Sequence, residues 1–183
     1  MISRLYLTLV VSLLVLLLFS CGEKQQTEDT LTQNTHGQAG VVDEDSKKNI
    51  LQIAMGSPDH TTLVAAVQAA SLENVLVNPG PLTVFAPTNA AFDALPEGTV
   101  ETLLKPENKD KLASIITSHA APGTFKGDLL KSQKSIYQAS GHHAEVVVKD
   151  GEVYVHGAKI LGTVDASNGV VHVVDKVFLF PEK

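Results

Sequence analysis

Cysteine is nearly absent from this chain: of its 183 residues only one, Cys21, carries a thiol. One cysteine cannot close an intramolecular disulfide or build a Cys-rich zinc set, so any folded domain here rests on ordinary packing. Basic side chains are also scarce, with 14 Lys and Arg against 20 Asp and Glu, which argues against nucleic acid or an anionic lipid surface as a partner. The one long apolar run, Leu5 to Phe19, falls short of the roughly 20 residues needed to span a bilayer and has no basic stop after it. Sequences of the HExxH or GxSxG type, Gly-rich phosphate loops, paired acids in a cleft pattern and basic aromatic patches are missing as well. Most common routes to an enzyme are closed by these absences.

What is present begins with an export signal. Met1 to Arg4 is short and basic, Leu5 to Phe19 is apolar, and small Ser20 stands just before Cys21. Leu18 to Cys21 resembles the bacterial lipobox, which implies that Cys21 is acylated and becomes the mature N-terminus, with Gly22 after it favouring the outer membrane. Removing residues 1–20 takes away Arg4 and no acid, leaving 13 basic side chains against 20 acidic, a net of −7. Residues 21–48 are polar with almost nothing to bury, so they read as a disordered tether on the order of 30 Å in reach. The chain as a whole is 44% apolar, enough for a sizeable core, and residues 49–183 read as one globular domain.

Within that domain, Asn49 to Met55 suits a short helix ending before Gly56, and Asp59 or Thr61 can cap the next, over Thr62 to Ala70. Pro106 can start a further helix whose buried side is Leu112, Ile115 and Ile116. From Ile136 the period changes to strands: Glu145 to Lys149 and Glu152 to His156 flank Asp150-Gly151, a two-residue hairpin turn. Lys159 to Val164, Val170 to Val174 and Lys176 to Phe180 follow as strands. Helices first and strands later predict an α+β domain.

Two stretches organise the rest. In Leu82 to Phe92, LTVFAPTNAAF, a strand stops at Pro87 and Thr88 or Asn89 caps a helix. In Asn168 to Pro181, NGVVHVVDKVFLFP, a turn signal opens a nearly continuous apolar run. The first resembles one signature of the fasciclin (FAS1) domain, the second resembles the other, and SHAAPG at Ser118 to Gly123 is similar to the family's tyrosine-histidine segment with Ser118 where tyrosine is usual. The resemblance spans roughly Asn49 to Pro181 and implies a wedge-like fold with short helices flanking a compact β core, an extracellular adhesion or ligand-binding role, no cofactor and no catalytic residues. Thr83, Phe85, Pro87, Asn89, Phe92, His119, Asn168, Gly169, His172 and Asp175 are its signature positions, and their character is that of a scaffold.

Seven histidines raise a rival reading. His142, His143 and His156 lie near Asp150 and Glu152 on the hairpin, which would suit an envelope metal protein. Adjacent strand residues face opposite sides, however, so His142 and His143 share one ion only in a loop. Ser167, His172 and Asp175 have the types of a hydrolase triad, but His172 alternates with valines in a strand expected to be buried. The leading expectation is a lipid-anchored, extracytoplasmic module of the cell envelope that binds an extracellular protein or glycan.

Overall fold

A computed structural model describes residues 47–181; Cys21, the signal and residues 21–46 of the tether lie outside the described residues. Asn49 opens helix α1 (Ile50–Met55) with a reciprocal pair of bonds, its side chain accepting from the Gln52 amide while Gln52 accepts from the Asn49 amide. Helix α2 (Thr61–Ala69) follows a 3-10 turn at Pro58–His60, and neither Asp59 nor Thr61 caps it. The cap comes from elsewhere in the chain. Asn89 Oδ1 accepts from the Thr62 amide at 3.0 Å, and Asn89 Nδ2 donates to the Pro58 carbonyl at 3.0 Å.

A further short helix, α3 (Glu73–Val77), precedes strand β1 (Leu82–Pro87). Thr88 then caps α4 (Asn89–Asp93), its hydroxyl accepting from the Ala91 amide. After α5 (Thr99–Leu103), Pro106 begins a 3-10 turn at Pro106–Asn108, and α6 (Lys109–Thr117) starts only behind it. Leu112 and Ile116 are buried on α6, whereas Ile115, expected on the same buried side, is only half-buried. Strand β2 (Ala120–Pro122) and helix α7 (Gly127–Lys131) lead into β3 (Ser135–Tyr137), β4 (His143–Lys149), β5 (Glu152–Val155), β6 (Ala158–Ala166) and β7 (Gly169–Val174). The β4–β5 turn has positive φ at both Asp150 and Gly151, as a two-residue hairpin of this kind requires.

The strands form one seven-stranded sheet in the order β2-β1-β7-β6-β5-β4-β3. All neighbours are antiparallel except β1 and β7, which run parallel from Leu82 beside Gly169 to Pro87 beside Val174. The two signature stretches are therefore direct neighbours. A bulge in β6 leaves Leu161 out of the ladder between Ile160 and Gly162 and bends that strand. The sheet curls until its two edges meet: the Ala139 amide, just past β3, donates to the Ala120 carbonyl of β2 at 2.7 Å. Near-closure of this kind covers edges that would otherwise template aggregation.

Two apolar cores result from the alternation along β1. Val84 and Ala86 face the helices and pack with Ile50, Leu63, Val67, Leu112 and Val171. Phe85 faces the inside of the curled sheet with Ile136, Val155, Val174 and Phe178. The expected strand at Lys176 to Phe180 is not one. Asp175 is tied to Lys159 through both its main chain and its carboxylate, and the Phe178 amide donates to His119 Nε2 at 2.8 Å. With its donors engaged there, the segment leaves the ladder and plugs the inner core.

Candidate functional site

The signature residues meet along a buried row of rings. His172 stacks on Phe85 with centroids 5.5 Å apart, Phe85 lies 5.4 Å from Phe178, and Phe178 stacks on His119 at 4.6 Å. Both histidines are held in defined roles by their neighbours. His119 Nδ1 donates to the Ile115 carbonyl at 2.8 Å while Nε2 accepts from the Phe178 amide. A carbonyl only accepts and an amide only donates, so the neutral Nδ1–H tautomer is enforced. His172 takes the opposite form: Nε2 donates to the Phe125 carbonyl at 2.7 Å and Nδ1 accepts from the Thr163 hydroxyl at 2.8 Å.

The polar signature positions are spent in the same way. Thr83, fully buried, donates its hydroxyl to the Gly123 carbonyl and accepts from the Phe125 amide, so β1 and β7 together pin the loop after β2. Asn168 accepts from the Ile50 amide and donates to the Leu76 and Asn78 carbonyls, fastening α1 and the end of α3 to the β6–β7 turn. Pro87 is fully buried, and Phe92 packs on the helix-side core. Thr83 and Asn168 thus serve main-chain groups that would otherwise lack partners, and Pro87 and Phe92 fill apolar space.

The histidines weighed as ligands are dispersed. His143 packs its ring against Tyr137 at 5.1 Å, whereas His142 and His156 sandwich Phe180 at 4.6 and 4.0 Å. Among the described residues no three His, Cys, Asp or Glu side chains gather where they could hold a metal ion. Ser167 and Asp175 are not brought to His172, since both its ring nitrogens are engaged by Thr163 and Phe125 and the Asp175 carboxylate is engaged by Lys159.

Two of the concavities on the surface of the described residues bear on function. The larger, about 670 Å³, lies where the chain enters the domain, between the Pro79-Gly80-Pro81 loop and the β6–β7 turn. Its charged groups are Lys47, Lys126 and Asp165, and the Lys126–Asp165 pair at 2.8 Å is half exposed. The hydrogen bond and charge of Lys126 hold the Asp165 carboxyl below its usual range, but an exposed pair of this kind contributes little to stability. The second groove, about 440 Å³, runs between α6, the β3–β4 turn and residues 178–181. Sequence reasoning missed it; Ile115, half-buried, and Ser118, buried where tyrosine is usual, are the residues on its wall that most nearly signalled it.

Acid should weaken this arrangement. Burial pushes the His119 imidazole down to about 4, and burial lowers His172 as well. In the unfolded chain each would take up a proton near pH 6.5, so stability is complete above that pH and is lost as pH falls from 6.5 toward 4. For His119 alone the loss reaches about 3 kcal/mol. Denaturant titrations at pH 7.5 and 4.5 should show a clearly lower midpoint in acid, and the His119 ring should not titrate by NMR above pH 5. Equal midpoints would contradict the assignment of a neutral, buried His119.

The chain matches the Fasciclin domain family over residues 58–180. It is 50% identical over 138 residues to Protein sll1483 of Synechocystis, covering 75% of this chain and 76% of that one. It is also 39% identical over 131 residues to a second Synechocystis protein, sll1735, covering 72% and 97%. Transforming growth factor-beta-induced protein ig-h3 of Sus scrofa is 33% identical over 133 residues, 72% of this chain but 19% of that larger protein. A solved FAS1 domain pair from the insect cell adhesion molecule Fasciclin I superposes with a TM-score of 0.62 at 14% identity, over 73% of this chain and 51% of that one. Among the described residues no helix is long and apolar enough to cross a membrane. The parallel β1–β7 pair, the ring row behind it and these matches have one reading: the chain belongs to the fasciclin (FAS1) domain family.

Proposed function

We propose that this protein is a lipid-anchored, extracytoplasmic fasciclin module that binds an extracellular protein or glycan through its surface loops, performs no catalysis and promotes attachment of the cell that carries it. The observation that carries the reading is the internal use of the signature side chains. Thr83, Asn89, His119, Asn168, His172 and Asp175 all bond to the protein's own main chain or side chains, which leaves loops and grooves for a partner. Likeness to the family's members supports the adhesive role, and the export signal ending at Cys21 supports the anchor. Two or more acyl chains on Cys21 would hold the protein stably, where one binds only marginally.

A single small domain should bind weakly, and many copies on one surface should raise avidity by roughly 10² to 10⁴. The test is a glycan and protein array probed with the soluble domain, once as monomer and once displayed in many copies on beads. A discrete set of ligands retained by the beads and barely by the monomer is expected. No retention in either form, together with turnover of ester, peptide or glycoside substrates, would replace this reading with an enzyme.

A further inference from the structure

The groove between α6 and residues 178–181 has the makings of a small-molecule site separate from any adhesive surface. Its walls are apolar and partly aromatic, from Ile115, Phe178, Phe180 and Pro181. Its polar side is a continuous run of side chains: the Ser118 hydroxyl lies 2.8 Å from the Ser114 carbonyl and 2.9 Å from the Ser140 hydroxyl, and Ser140 lies 3.0 Å from His142 Nδ1. The far ring nitrogen, His142 Nε2, is buried with no hydrogen-bond partner among the described residues. Buried polar atoms are rarely left in that state, and this one belongs to a residue of the groove wall. Concave sites with mostly apolar walls and a few convergent polar groups, at volumes of this order, are where small ligands bind.

The chemistry of the lining selects the ligand. Hydroxyls and an imidazole can each donate or accept, so they suit a hydroxyl group; the polar run holds no carboxylate to attract a cation, and Lys111 also stands on the groove wall. Phe180, half-buried and packed between His142 at 4.6 Å and His156 at 4.0 Å, offers the groove the edge of its ring. We propose that this groove binds an aromatic molecule carrying a hydroxyl group, with the ring among Ile115, Phe180 and Pro181 and the hydroxyl on the Ser118–Ser140–His142 run. The site is independent of the adhesion reading, and either can fail without the other.

The probe is 2-naphthol, followed by its own fluorescence and by amide shifts of the labelled domain. Saturable binding is expected, with the largest shifts at Ile115, Ser140 and Phe180. The methyl ether, 2-methoxynaphthalene, cannot donate and should bind at least ten-fold more weakly. Ser118→Tyr, which places a ring in the groove, should abolish binding, and Ser140→Ala, which removes one hydroxyl from an exposed turn, should weaken it about ten-fold with the fold intact. Shifts scattered away from the groove, no saturation up to the solubility limit, equal binding of naphthol and its ether, or unchanged affinity in Ser140→Ala would each overturn the proposal.

Discussion

Phe85→Ala should cost about 3 to 5 kcal/mol, as much as an entire domain of this size commonly has to spare. Phe85 is fully buried at the centre of the ring row, between His172 and Phe178, and its main chain belongs to the parallel pair that joins the two signatures. Truncation removes the transfer energy of the ring and leaves a cavity that the curled sheet cannot collapse to fill. It also strips a stacking partner from His172, whose bonds to Thr163 and Phe125 position the neighbouring loop. Thermal melting of Phe85→Ala beside the exposed change Lys149→Ala is the comparison. The first should melt far lower or not fold, and the second should match the native protein; equal melting temperatures would mean that the inner core lies elsewhere.

Gly169→Ala should be comparably damaging, for a different reason. Gly169 has φ of +156° and starts β7 directly against Leu82, so a Cβ there would overlap the Leu82 carbonyl and crowd its amide nitrogen. Those atoms are backbone, so they yield only if β1 and β7 move apart. Separation of the pair would break the register on which both cores are built. Overpacking alone costs about 1 to 3 kcal/mol, and backbone strain at a position that disfavours side chains adds about 1 to 2 more. Urea unfolding should show a loss of about 3 kcal/mol or greater. A midpoint within error of the native protein would show that the close approach at Leu82 is not needed.

Local chemistry was readable in advance, and long-range chemistry was not. The end of α1 before Gly56, the Asp150-Gly151 hairpin and the stop of β1 at Pro87 depend on neighbours a few residues away, which the order of amino acids displays. The cap of α2 depends on Asn89, supplied from 27 residues downstream, so searching near Asp59 and Thr61 could not find it. Strand β2 is three residues of AAP with no alternation to detect, and it exists because β1 offers it a partner at Leu82 to Val84. Lys176 to Phe180 carries a strand-like pattern but loses its ladder to His119 and Lys159, residues far away in sequence. The buried character of His119 and His172 followed for His172 from its valine neighbours, whereas the tautomers of both needed the partners' positions. The groove at Ser118 is assembled from three separate segments, and no one of them shows it alone.

The account stands or falls on whether this domain, held at a surface through Cys21, makes cells adhere. Attachment to matrix and to other cells should be compared for cells carrying the native protein, cells carrying Cys21→Ser and cells carrying none. The native protein should promote attachment, and the Cys21→Ser form, which could not carry the proposed acyl chains, should fall to the level of cells with none. Equal attachment by all three would contradict it.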